Sequence, residues 1–184
     1  MVLGEQIEKG KRELEYLDSV LEAIVLAEGE RDLAEIRQEL TDTGYLRRGA
    51  KAAKRMKVAA KPMEFRSTAG LRISVGKNNT QNDLLTAKQA GKGDLWLHTQ
   101  KIHGSHVILW TEGRTPDAGS IEEAAKLAAW FSQGRDGKKV PVDYTPVKYV
   151  KKPAGARPGM VVYTTYQTAY VDPDGELAKR LRVK

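Results

Sequence analysis

Cysteine is absent from the 184 residues, which excludes a disulfide framework, a thiolate metal site and a thiol nucleophile. Long apolar runs are missing as well. No stretch approaches the ~20 residues of a membrane span, and the opening MVLGEQIEKGKREL has no signal-peptide core. The sequence therefore reads as cytoplasmic, with no membrane partner. Met1 enters a helical pattern already in mid-phase, as expected of a piece cut from a longer protein. There is no internal repeat, and 40% hydrophobic content suits one core with an appendage better than two large domains.

Acidic charge becomes scarce after the first quarter of the chain. Residues 1–46 carry 5 Lys and Arg against 12 Asp and Glu, net −7, whereas residues 47–184 carry 26 against 12, net +14. A split of this kind points the second part toward nucleic acid or another polyanion.

The acidic part, residues 1–46, reads as a helical hairpin. Ile7, Leu14 and Leu21 recur every seventh residue with Leu17 and Ile24 between them, one apolar seam of coiled-coil type. Leu33, Ile36 and Leu40 supply a short partner helix after Gly29, and Gly44 stops it. An amphipathic hairpin packed on the domain and the base of a longer coiled-coil arm both fit, and self-association through this segment stays open. Residues 47–62, RRGAKAAKRMKVAAKP, hold seven Lys or Arg and no acid; they read as a basic linker that can also act as a phosphate strap.

From Met63 to Lys184 the dominant period is two. EFRSTAGLRISVG predicts a hairpin about Ala69 and Gly70, with Leu71, Ile73 and Val75 on one face. QNDLLTAKQAGKG predicts a helix, then DLWLHTQ and SHVILW predict two strands. SIEEAAKLAAWFSQG predicts a helix with a capping box from Ser120 to Glu123. KKVPVDYTPVKYV and GMVVYTTYQTAYV predict further strands around the loop KKPAGARPG. This order predicts an α+β domain, residues 63–184, with a largely antiparallel sheet and packed helices.

Catalytic chemistry finds little support. GLRISVGK is not a Walker loop, because five residues separate Gly70 from Gly76 and Asn78 follows Lys77. His98, His103 and His106 have no thiolate or obvious carboxylate partner at ligand spacing, so no metal is expected. Ser105 and His106 are neighbours on a strand and point to opposite faces, which prevents a nucleophile and base from meeting. The domain is expected to bind rather than to catalyse, with no cofactor.

A binding surface is easier to assemble. Trp96 and His98 share a face opposite Leu95 and Leu97, and His106, Ile108 and Trp110 share a face of the next strand. With the leucines in the core, those rings would be open for stacking beside the amide-rich turn VGKNNTQND, whose Asn and Gln suit base edges and ribose hydroxyls. Asn78, Asn79 and Asn82 equally suit a helix-starting turn and its cap, and each tryptophan suits the core.

VGKNNTQND, DLWLHTQKIHGSHVIL, EEAAKLAAWFS and VKYVKKPAGARPGMVVY occur in this order and together resemble the NFACT-R domain at the carboxy-terminal end of the RqcH/NEMF family of ribosome-associated quality-control factors. Bacterial members are often labelled fibronectin-binding proteins. The resemblance runs from about Met63 to the end, and KRELEYLDSVLEAI with LAEIRQELTDTGYLRR resembles the descending end of the family's middle coiled coil. It implies RNA binding, and in the whole factor binding of the large ribosomal subunit, its RNA and protein, with an obstructed peptidyl-tRNA. It further implies recruitment of alanyl-tRNA for untemplated alanine tails. The family's amino-terminal domain, which carries its tRNA-recruiting residues, lies outside this sequence. Residues matching the family are Gly76, Asn78, Asn82, Asp83, Asp94, Trp96, His98, Gly104, Ser105, His106 and Val107, then Lys151, Lys152, Pro153, Gly155, Pro158 and Gly159. His103 departs, since the family commonly has proline there. The candidate RNA-binding residues are therefore Lys77, Asn78, Asn79, Asn82, Trp96, His98, Ser105, His106, Lys151, Lys152 and Arg157, with tRNA or ribosomal RNA as partner. A protein-binding adaptor using the hairpin and a fibronectin-binding surface adhesin are the alternatives.

Overall fold

The computed structural model describes residues 2–47 and 60–184. Most of the expected basic linker, residues 48–59, lies outside the described residues. Two helices come first, α1 (Val2–Leu26) and α2 (Glu30–Asp42). They meet as a hairpin, but not along the heptad seam. Tyr16, Val20 and Ala23 of α1, at i, i+4 and i+7, close on Ile36 of α2 with Leu17 and Leu40 beside them. Ile7, Leu14, Leu21 and Ile24 stay outward, 46 to 70% exposed, as does Leu33. The inward stripe wins because Tyr16 buries its ring and still satisfies its hydroxyl on Glu39 Oε1 at 2.7 Å.

The remainder is α+β, as expected. It contains β1 (Met63–Arg66), β2 (Arg72–Val75), α3 (Asn79–Asp83), β3 (Leu95–Thr99), β4 (Val107–Leu109), α4 (Ala118–Trp130), β5 (Val140–Pro146), β6 (Val150–Lys151), β7 (Val162–Tyr163), β8 (Gln167–Val171) and α5 (Gly175–Leu181). Six strands form one antiparallel sheet in the order β1-β2-β4-β3-β5-β8, and β6 with β7 forms a separate two-stranded arm. The β1–β2 register, Met63 opposite Val75 and Phe65 opposite Ile73, confirms the hairpin turn at Ala69 and Gly70.

Both faces of the sheet are covered. Alternation sends Leu95, Leu97, Val107, Leu109 and Val142 toward α4, whose Ala124, Ala125, Ala128 and Ala129 let the helix approach closely. The other face carries Trp96 and Ile108, which pack with Leu85, Val147 and Tyr163. Leu85 reaches that position because α3 runs directly into a π-helical turn, Leu84–Gln89.

Three local expectations change. The cap of α4 is Asp117, which accepts from the Ser120 N–H at 2.8 Å; Ser120 is buried against Ser67, and Glu123 reaches the Thr68 backbone instead. A capping box needs its first residue outside the helix, and the helix begins two residues before Ser120. GMVVYTTYQTAYV is two strands in different sheets, divided at Thr165, whose φ of +53° is left-handed and foreign to a strand. Finally, α5 was not foreseen, although Asp174 caps it and Leu177, Ala178 and Leu181 give it one apolar face.

The loop before β4 crosses α4's carboxy-terminal end at Gly104, which bridges Ser132. A Cβ at Gly104 would lie 2.6 Å from the Ser132 Cβ. Gly104→Ala is expected to destabilise the domain by about 1–3 kcal/mol, read as a lower midpoint in urea unfolding.

Candidate nucleic-acid interface

The turn of residues 75–83 is positioned by β2 on one side and α3 on the other. Asn78 is the helix cap, its Oδ1 accepting from the Gln81 N–H at 2.9 Å. Asn82, also a candidate cap, instead accepts from the His106 N–H at 3.1 Å and ties the turn to the start of β4. Lys77, Asn78, Asn79 and Gln81 face the acidic hairpin. Lys77 Nζ lies 3.0 Å from Asp32 Oδ2 and 3.4 Å from Glu28 Oε2. Asn78 Nδ2 and Gln81 Nε2 both donate to Glu35 Oε2 at 2.8 Å, and Asn79 Nδ2 donates to Glu39 Oε1 and Ser19 Oγ at 3.0 Å.

These residues are buried, so the amide-rich turn is a docking plate for α1 and α2. The signal lay in the sequence: Asp32, Glu35 and Glu39 fall at i, i+3 and i+7, one face of α2. Burial raises the carboxyl pKa of Glu39, and the hydrogen bonds from Asn79 and Tyr16 oppose that shift. Glu28 is held below the usual carboxylate range by its hydrogen bonds from Arg182, against the cost of partial burial.

The expected open ring face is also closed. Trp96 is 1% exposed beneath Tyr163, with ring centroids 4.7 Å apart, and His106 is 2% exposed with Thr86 Oγ1 2.8 Å from its Nδ1. The reason is the β6–β7 arm, which folds over the sheet: Tyr163 donates to the buried Asp143 at 2.6 Å, and Asp83 accepts from the Gly159 N–H and Lys152 Nζ. Trp110 is half-buried, its Nε1 donating to Ser74 Oγ and its ring under Arg72. His98 is half-buried and stacks on Trp96 at 5.6 Å with an 11° interplanar angle.

Eight of the eleven candidates nonetheless converge. Lys77, Asn78, Asn79, Asn82, Trp96, His98, Ser105 and His106 all line one cleft of about 350 Å³ between α1, the turn, the loop before β4 and the arm. Lys151, Lys152 and Arg157 stand outside it. Lys151 is exposed, Lys152 pins the arm to Asp83, and the Arg157 guanidinium sits over the Tyr16 and Tyr45 rings at 4.8 and 5.4 Å. The cleft also contains Tyr163, Lys101 and Ser19, which sequence reasoning missed. Tyr163 comes from a segment read as a plain strand, and Ser19 from a helix 58 positions before Lys77. Among the described residues no three His, Asp or Glu side chains gather as metal ligands, and His103 Nε2 lies 3.5 Å from Asp18 Oδ2 on α1.

Residues 61–164 match the family described as NFACT protein RNA binding domain, and residues 1–59 match the one described as NFACT N-terminal and middle domains. The chain belongs to the NFACT proteins of the RqcH/NEMF family. It is 44% identical over 183 residues to the Rqc2 homolog RqcH of Bacillus subtilis and 40% identical over 176 residues to that of Streptococcus pneumoniae serotype 2. These alignments cover 98% and 95% of this chain but 32% and 31% of the relatives, so the chain spans about a third of their length. A solved structure, the C-terminal of the fibronectin/fibrinogen-binding protein from Streptococcus suis, superposes with a TM-score of 0.89 at 38% identity, covering 98% of this chain and 72% of that one. In this NFACT chain the contact between the acidic hairpin and the amide-rich turn therefore joins the two matched regions.

One outcome tests that contact and a second tests the burial of the sheet's histidines. Lys77→Ala leaves the Asp32 carboxylate buried without its cation and is expected to cost about 3–5 kcal/mol in chemical unfolding. The second concerns pH. Desolvation lowers the His98 pKa from 6.5 to about 4 and that of His106 well below 6.5, so between those values the unfolded chain binds protons that the folded chain does not. Stability should fall as pH drops below 6.5, by up to about 1.4 kcal/mol per pH unit for each histidine, and His98→Asn should flatten that slope.

Proposed function

We propose that the chain is the RNA-binding module of a ribosome-associated quality-control factor. It binds RNA of the large ribosomal subunit or its peptidyl-tRNA and, within the longer protein, supports alanine tailing of stalled nascent chains. It acts in the cytoplasm as a binding element without catalysis. The observation that carries this reading is the match of residues 61–164 to an RNA binding domain in the part of the chain that carries the positive charge.

The acidic hairpin neutralises only part of that charge. Lys77, Arg135, Arg157 and Arg182 pair with carboxylates of residues 13–32, whereas Lys92, Lys148 and Lys151 stay exposed at the mouth of the β6–β7 arm. The backbones of Lys92 and Lys148 meet at 3.2 Å, so these cations share one edge of the domain. An edge of this kind attracts phosphates through counterion release and reads no sequence by itself.

A second reading rests on the outward seam of Ile7, Leu14, Leu21 and Ile24, which suits a protein contact, either with the remainder of a longer arm or with another chain. Binding of a purified ribosomal protein without RNA would favour it.

Replacing Lys151 and Lys152 with alanine should weaken binding to single-stranded RNA and lower the slope of log affinity against log salt by about 0.7 for each phosphate no longer neutralised. Unchanged affinity and slope in a folded double variant would remove this edge from the RNA surface. Because Lys152 also pins the arm, Lys151→Ala alone separates phosphate binding from disruption of the Asp83 pair.

A further inference from the structure

Buried polar atoms almost always have partners, so an unpaired one calls for a reason. Among the described residues three buried side-chain atoms have none: Asp32 Oδ1, Trp96 Nε1 and Ser105 Oγ. Trp96 and Ser105 come from different segments, and both line the cleft between α1 and the sheet. Each is 1% exposed. The indole N–H can only donate, while the serine hydroxyl can donate or accept.

The rest of the lining narrows what would satisfy them. Lys77 is the cation set deepest, and its ammonium is taken by Asp32 and Glu28, while α1 adds Glu15 and Glu22 to the wall. Deep in the cleft an anion would therefore meet carboxylates, with the buried counter-charge already taken. Both imidazoles, His98 and His106, are uncharged at neutral pH. What the cleft offers is flat rings, the half-buried His98 and Tyr163, and in its wall two residues, Trp96 and Ser105, each with a buried neutral hydrogen-bonding atom that has no partner. Its volume of about 350 Å³ is at the small end of the range for small-molecule sites, enough for one ring system with its sugar and not for a stacked pair. Lys101, exposed, joins the lining from the loop before β4.

We infer that the cleft receives a single unstacked nucleobase of an RNA strand. The base lies against the His98 and Tyr163 rings, accepts from Trp96 Nε1 and pairs with Ser105 Oγ, and its phosphate remains outside near Lys101. Aromatic rings that hold splayed-out bases, with hydrogen bonds to base edges, are the usual means of reading single-stranded RNA. This inference deepens the RNA-binding reading and rests on it for the identity of the ligand, but not for the cleft's neutral, ring-lined chemistry.

The test follows the indole N–H resonances by nuclear magnetic resonance while adenosine, guanosine, cytidine and uridine are added, with ribose 5-phosphate as the sugar-phosphate control. Trp96→Phe identifies the Trp96 signal, and Trp110, whose Nε1 is bonded to Ser74, is the internal reference. At least one nucleoside should move the Trp96 signal saturably, ribose 5-phosphate should not, and Ser105→Ala should weaken the nucleoside about fivefold, the loss of one neutral hydrogen bond. A Trp96 signal unmoved by all four nucleosides up to their solubility, or moved equally by ribose 5-phosphate, overturns the inference. The probes carry no base-linked phosphate, so the two readings fail separately. An RNA oligonucleotide that binds while no nucleoside moves Trp96 removes the cleft and leaves RNA binding, and a nucleoside shift without RNA binding does the reverse.

Discussion

The ammonium of Lys77, buried between Asp32 and Glu28, sets where the acidic hairpin sits, and the other features of the site follow from that placement. A buried ion pair is seldom a large net source of stability, because desolvation offsets most of the attraction. Its value here lies in register. With Lys77 on Asp32, Asn78 and Gln81 meet Glu35, Asn79 meets Glu39, and α1 is brought over the edge of the sheet as the wall of a cleft. Arg135 with Glu22 and Arg182 with Glu28 brace the same hairpin from two other segments of the domain.

The charge division along the chain thus has two consequences. Much of the acidic charge of residues 1–46 is directed inward, onto the domain's own cations and amides, while Lys92, Lys148 and Lys151 are among the cations left exposed. The outward heptad seam of α1 has no partner among the described residues, and residues 1–59 match a family region that extends well beyond this chain in its relatives. Rigid docking of that helix on the RNA-binding domain would let a longer arm fix the domain's orientation.

Much of the fold was legible because period-two strands and an alanine-rich helix are local signals. Alternation set Leu95 and Leu97 on the face opposite Trp96 and His98, and both leucines lie in the core. The site was legible only as a set of residues. Eight of eleven candidates gather in one cleft, yet Lys77, Asn78 and Asn79 face a helix rather than solvent, since a sequence does not show which acidic stripe a polar turn will meet. The opposite face of the sheet misled for a similar reason. Alternation places Trp96 away from the leucines, but whether that face is open depends on the β6–β7 arm, whose position is set by Asp83 and Asp143 far along the chain. The seam of Ile7, Leu14 and Leu21 obeys a coiled-coil period, and Tyr16 on another face decides the contact within this chain.

Whether the chain binds RNA on its own is decided by fluorescence-anisotropy titration with tRNA and with duplex DNA of equal length, at low and at physiological salt. An RNA-binding module should prefer tRNA and keep that preference at physiological salt. Equal, weak binding to both polymers that disappears together as salt rises would contradict it, leaving the positive surface as generic charge.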